Sequence, residues 1–147
     1  MIFVPKGFEL YEFLPRDFYN KYYPVHGERL WKLFSYELLW TAQQLRIRYG
    51  RLDGNDWHWR EEDPYANQYR GWRPFDCPVG AKLSDHKGHR ALDLMPMETE
   101  AEAIRWDCLQ ESISGPFTHI TAIEEDVPWF HYSVGNHNKK FEGIRVF

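Results

Sequence analysis

The stretch Ser84-Asp85-His86-Lys87-Gly88-His89-Arg90-Ala91-Leu92-Asp93 decides how the rest of the chain is read. Its first half is polar and turn-forming, and its second half, with Ala91 and Leu92 ahead of Asp93, predicts a strand over about 90–95. His86 then ends a loop, Asp93 stands on the strand that follows, and a chain folding back between them brings the two together. Further on, Trp129-Phe130-His131-Tyr132 reads as an apolar strand whose histidine projects from a dry wall into a cleft. Two histidines and one carboxylate around an open position are a common catalytic zinc arrangement, in which a bound water is acidified to a pKa near ~7. A neighbouring carboxylate then serves as general base. Glu124, Glu125 and Asp126, just before His131, are the candidates.

Working outward, Leu30, Phe34, Leu38, Leu45 and Tyr49 recur at helical spacing and predict a helix over about 28–49, stopped by Gly50. Ahead of it, the aromatic and proline-rich residues 1–27 read as a short helix or turns, a lid over that helix. Asp56–Trp59 and Gln68–Arg73 are expected as short strands separated by a polar loop. A second helix is expected over about 100–113, with Thr99 as N-cap, Glu102 completing a capping box, and Ile104, Cys108 and Leu109 as its buried stripe. Phe117–Ile123 and Trp129–Val134 form an expected antiparallel pair joined by the acidic turn Glu124–Pro128, and Gly143–Phe147 is a last strand. The order predicts an α+β domain: a small antiparallel sheet carrying the zinc site, flanked by an N-terminal helix and one internal helix. One domain is expected over 1–147, with the aromatic segment and helix in 1–50 and the sheet and metal site in 51–147.

The composition agrees with an ordered chain. Of 147 residues, 18% are Phe, Trp or Tyr, enough to offset ordering entropy. A net charge of -4 argues against a dedicated nucleic-acid binder. Two cysteines, Cys77 and Cys108, are too few for a disulfide scaffold and read as free thiols. No signal peptide or membrane span is visible, so a soluble, cytoplasmically made protein is expected.

Ser84-x-His86-x(6)-Asp93 followed by Trp129-x-His131 resembles the signature of the D-Ala-D-Ala carboxypeptidase family of zinc peptidases, grouped with lysostaphin and the amino-terminal domain of hedgehog. The family pattern is Ser-x-His-x-x-Gly-x-Ala-x-Asp. Here Ser84, His86, Ala91 and Asp93 match, His89 stands at the glycine position, and Gly88 comes one residue early. The resemblance implies one Zn2+ held by His86, Asp93 and His131. Many members carry the catalytic carboxylate three residues before the last histidine, where this chain has Pro128. Hedgehog-like members carry a Glu six residues before it, which implies Glu125 as base, with Glu124 and Asp126 in reserve. Gly71-Trp72-Arg73 resembles the family's Gly-aromatic-Arg element and implies Arg73 as a substrate-binding residue; Ser84 and Trp129 are the other substrate-binding candidates, and Asp85 supports the site with Ser84.

The implied activity is hydrolysis of amide bonds in peptidoglycan stem peptides by a monomer, with no nucleic-acid or membrane partner. The phage-like amino-terminal stretch implies an endolysin or virion-associated lysin made in the host cytoplasm. A non-catalytic zinc domain of the same fold is the alternative. A metal nuclease built on the His137 turn, Gly135-Asn136-His137-Asn138, is a third reading, disfavoured by the missing helix pattern and the acidic chain. Trp57, Trp59, Trp72 and Trp129 are expected to fill the core and wall the cleft, and His58 and His119 are read as structural strand residues.

Overall fold

Strand-forming sequence of period two sets the centre of the molecule. The computed structural model describes residues 1–81, 84–111, 114–135 and 143–147. In it, β2 (Ala91–Pro96) lies between β1 (Leu52–Asp53) and β4 (Phe130–Ser133), and β3 (Ala122–Ile123) and β5 (Arg145–Val146) extend the sheet in the order β1-β2-β4-β3-β5. All pairings are antiparallel except β3 with β5, which is parallel, so the expected antiparallel sheet is mixed at one edge. The β2–β4 register sets Leu92 opposite Tyr132, Leu94 opposite Phe130, and Asp93 opposite His131. Because side chains alternate across a strand, Leu92, Leu94, Phe130 and Tyr132 share one face and enter the apolar core, while Asp93 and His131 share the other. One register thus builds the core and the polar group together.

Helix α2 (Tyr36–Tyr49) packs Leu38, Leu39, Ala42 and Leu45 into that core. The fully buried Tyr132 donates its hydroxyl to the Leu38 carbonyl at 2.8 Å and ties sheet to helix. The single helix expected over 28–49 is divided. Gly27–Leu33 is 3-10, Phe34 is extended, and Ser35 caps α2 by accepting the Leu38 amide at 3.3 Å. A serine hydroxyl favours a helix start over a helix interior, which explains the break. Helix α1 (Arg16–His26) precedes it, with no fully buried residue, and its half-buried rings overlie the core as the expected lid. Phe8, Phe13 and Leu14 behave differently: they are core residues, with Phe13 edge-on to Trp31 and Phe34.

Helix α3 (Ala101–Gln110) buries Ile104 and Cys108 as expected, but Leu109 is exposed and the buried fourth member of the stripe is Arg105. Its N-cap is Glu100, not Thr99, and makes no side-chain cap bond. Residues 112 and 113 of the expected helix lie outside the described residues, as does His137 with Asn136 and Asn138. Asp56–Trp59 and Gln68–Arg73 form no strands. Their polar groups are taken up by side chains instead: Asn55 and the Trp57 indole both donate to the Leu14 carbonyl, Asp56 accepts the Asn67 amide, and Asn55 accepts the Arg70 amide. The segments' own amides pair irregularly as well, Asp56 with the Asn67 carbonyl, Trp72 with the Phe13 carbonyl and Arg73 with the His86 carbonyl, so no strand ladder forms. His58 stacks on Tyr11 at 3.9 Å, and His119 lies in a turn, edge-on to Trp40, rather than on a strand.

Glu12 is a buried acid that caps its own 3-10 turn, accepting from the Glu9 and Gly54 amides. Burial pushes its carboxyl up to about 7, against those two hydrogen bonds, with Asp53 adding to the rise. The folded chain therefore holds this proton more tightly than the unfolded chain. Its stabilisation is complete below the ordinary value of 4.5 and is lost as pH rises through about 7. Glu12→Gln, which fixes the neutral form, should remove about 2–4 kcal/mol of pH-dependent loss between pH 5 and 8. Urea unfolding of both proteins across that range checks it, and parallel profiles would refute the assignment.

Candidate metal centre

His86, Asp93 and His131 are buried and converge on one point. His86 Nε2 lies 3.3 Å from His131 Nδ1 and 3.4 Å from Asp93 Oδ1, and His131 Nδ1 lies 2.7 Å from Asp93 Oδ1. Donors bound at the usual zinc distances in a tetrahedron stand about 3.3 Å apart, which two of the three edges match.

The outer atoms are also held. The Nδ1 proton of His86 is donated to the Gly71 carbonyl at 2.8 Å, and His131 Nε2 lies 3.2 Å from Ser133 Oγ. With the His131 proton on Nε2 toward Ser133, His86 Nε2, His131 Nδ1 and Asp93 Oδ1 present three lone pairs to one point, the outer-sphere pattern of metal-ligating histidine; in the other tautomer His131 Nδ1 donates to Asp93 Oδ1. Burial pushes the His86 imidazole below its ordinary range, which keeps that lone pair free. Burial works the other way on Asp93, raising its carboxyl, but the hydrogen bonds and charge of His131 and His86 prevail and hold it well below the usual carboxylate range. The group could hold a metal ion.

Gly71 makes the His86 anchor possible. A Cβ there would stand 2.3 Å from the Phe13 carbonyl oxygen, and the next amide, Trp72, donates to that same oxygen at 2.9 Å. The amino-terminal core segment thereby fixes the carbonyl that orients His86.

The group lies on the wall of an open cavity of about 540 Å3. Arg73 lines it but is committed: Nη2 pairs with Asp93 Oδ2 at 3.0 Å and Nε donates to the Tyr69 carbonyl at 2.7 Å. It is a positioning residue for Asp93 rather than the free substrate anchor expected. Ser84 also lines the cavity, with Oγ accepting the His86 amide at 3.3 Å. Of the four tryptophans expected at the cleft, only Trp129 lines this cavity; Trp57 is buried in contact with Tyr11 and Tyr19, Trp59 is exposed, and Trp72 stacks on His89.

The acidic turn is placed differently from expectation. Glu124 borders the cavity, whereas Glu125 and Asp126 are exposed and lie off its wall. Arg105 explains the turn's placement: its guanidinium donates to the carbonyls of Glu124, Val127 and Trp129. Nothing in the local sequence marks Arg105 as a turn anchor. Its place on the buried side of α3, between Ala101 and Cys108, is the only hint. Arg145 of β5 and Phe147 just after it also line the cavity, and no local pattern in the sequence marks either.

These features define an α+β protein with a buried His-Asp-His group open to a cleft. Compared with known proteins, the chain matches no family model, no curated protein and no solved structure.

Loss of an outer-sphere partner typically costs metal affinity about 10- to 100-fold. Ser133→Ala should weaken zinc binding by that order, measured by competition with a chelating dye. Gly71→Ala should do the same by displacing the carbonyl on His86. Wild-type affinity in both variants would show that these contacts do not orient the rings.

Proposed function

We propose that the protein is a zinc-dependent peptidase that hydrolyses amide bonds in peptidoglycan stem peptides, as a phage endolysin or virion-associated lysin. The observation that carries this reading is the convergence of His86 Nε2, Asp93 Oδ1 and His131 Nδ1 beside an open cleft that also holds a carboxylate, Glu124. Two imidazoles and one carboxylate leaving an open position suit catalytic zinc. The metal, when bound, supplies Lewis acidity and lowers the pKa of water. The resemblance to D-Ala-D-Ala carboxypeptidase-type peptidases supplies the substrate class.

The chain's own residues divide the remaining work. Glu124 accepts a proton from the attacking water and returns it to the leaving amine. Arg73 holds Asp93, while Gly71 and Ser133 hold the two imidazoles. Trp129, Val79 and Phe147 give the cavity apolar wall that limits water around the reacting groups. Among the described residues no helix is long and apolar enough to cross a membrane; synthesis in the host cytoplasm and action on the wall as a monomer belong to the lysin reading.

Purified protein incubated with peptidoglycan, with and without chelator, should release peptide fragments identifiable by mass spectrometry only when zinc is present. Glu124→Gln should lower the rate by about 10²–10⁴-fold with zinc content and circular dichroism unchanged. Glu125→Gln should stay within a few-fold of wild type. The reverse pattern would transfer the base to Glu125, and zinc loading without any hydrolysis would make the group a structural or binding site.

A further inference from the structure

The cleft holds a cation that the hydrolytic machinery does not use. Arg145, on β5, lines the same cavity as the His-Asp-His group and is exposed. Its backbone is fixed, with the amide donating to the Thr121 carbonyl at 2.9 Å, but among the described residues its guanidinium makes no ion pair or hydrogen bond. The guanidinium lies over the Phe147 ring at 5.8 Å, and that ring meets the His131 ring edge-on at 5.5 Å. It therefore stands two ring contacts from a candidate metal ligand, oriented by an aromatic face and with its donors unspent. Arg73, the other arginine on this wall, offers nothing comparable. Two of its nitrogens are bound, and the third, Nη1, lies under Gly80, where a Cβ would approach it to 2.5 Å.

Resting on the peptidase reading, we propose that Arg145 is the specificity-determining residue of this cleft. It would bind a carboxylate of the substrate by a charge-assisted, forked hydrogen bond. An extended peptide advances about 3.3–3.6 Å per residue, so the two ring contacts, at 5.8 and 5.5 Å, keep that carboxylate within about three residues of the scissile amide. Glu124 shares the cavity wall and disfavours a second anion beside it, so Arg145 also sets the direction in which the peptide lies. The favoured substrate class is an acidic peptide with a free carboxylate at that spacing. A neutral peptide of the same length should be a poor substrate.

The test uses zinc-loaded full chain and soluble stem peptides in two forms, free acid and methylamide-capped at every carboxylate. Binding is measured by calorimetry on the Glu124→Gln protein, and KM and kcat on the protein with Glu124 intact, each with and without Arg145→Ala or Arg145→Lys. Arg145→Ala should raise Kd and KM for the free acid roughly 10- to 100-fold, leave kcat near wild type and leave the capped peptide unaffected. Arg145→Lys should restore part of the loss. Equal affinity of the parent for both peptides, or an equal loss for both in Arg145→Ala, overturns the assignment while leaving hydrolysis standing. An acid-selective loss of binding without turnover by any form upholds Arg145 and removes the peptidase reading. No binding of either peptide overturns both.

Discussion

A carboxylate, Asp93, sits buried in the middle of the sheet, and much of the molecule answers to that fact. Taking such a group out of water costs several kcal/mol unless charge and hydrogen bonds replace the solvent. Arg73 satisfies Oδ2. Oδ1 faces His131 and His86, whose outer nitrogens are engaged by Ser133 and Gly71. With the His131 proton on its Ser133 side, the inner side has three lone pairs, a balance that one divalent cation corrects; with that proton on Nδ1, His131 instead donates to Asp93 Oδ1 at 2.7 Å. The cluster is satisfied as a buried His-Asp-Arg network and is also a set of three donor atoms that could hold a metal ion.

The same constraint explains why the amino-terminal segment belongs to the functional unit. The Phe13 carbonyl receives the Trp72 amide, Glu12 abuts Gly54, and Asn55 bridges Leu14 to Arg70, whose carbonyl accepts the Asp93 amide at 2.7 Å. These contacts carry the irregular stretch 54–73 past β2 without making it a strand. They set Gly71 and Arg73 on either side of the His86–Asp93 pair. Phe8, Phe13 and Trp31 supply the apolar mass against which that stretch is pressed. A truncation that removed residues 1–14 would strip the backing from the metal group as well as from the core.

What the sequence discloses follows from what each signal measures. The period-two pattern of 91–94 and 130–133 is strong because both faces are buried, one by core and one by the polar cluster, but it pairs 129–134 with 117–123 and does not disclose the β2–β4 register that sets Asp93 opposite His131. Helical spacing finds α2 and α3 but overruns at 28–35, since apolar spacing in a 3-10 segment resembles an α-helical one over a single turn. Local spacing misleads for 56–59 and 68–73, because their amides find irregular, distant partners: Asp56 donates to the Asn67 carbonyl, Arg70 to the Asn55 side chain, Trp72 to the Phe13 carbonyl and Arg73 to the His86 carbonyl. The acidic turn is oriented differently from expectation for a related reason. Arg105, some twenty positions earlier, fixes the turn and turns Glu124 rather than Glu125 toward the cavity. Arg145 is invisible to spacing altogether, because a parallel pairing with β3 brings it to the site.

The departure at His89 has a geometric resolution. The loop before β2 closes with the Arg90 amide donating to the Asp85 carbonyl and the His89 amide to the His86 carbonyl, the paired bonds of a Schellman turn. That turn requires its penultimate residue to be left-handed, and His89 has φ 62°. A glycine would adopt it freely, which accounts for the glycine in the resembling pattern, whereas a histidine there costs about 1–2 kcal/mol. The imidazole offsets this by stacking on Trp72 at 5.4 Å and 4° and meeting Phe34 edge-on at 6.0 Å. Gly88, one residue earlier, has no positive φ and does not substitute for it. The turn brings His86 back over Asp93 with either residue at position 89, so the seven-residue spacing of the ligands survives the exchange. What changes is the loop's support: a stack on Trp72 replaces backbone freedom, and the loop is thereby tied to the same Gly71-Trp72-Arg73 stretch that holds both ligands.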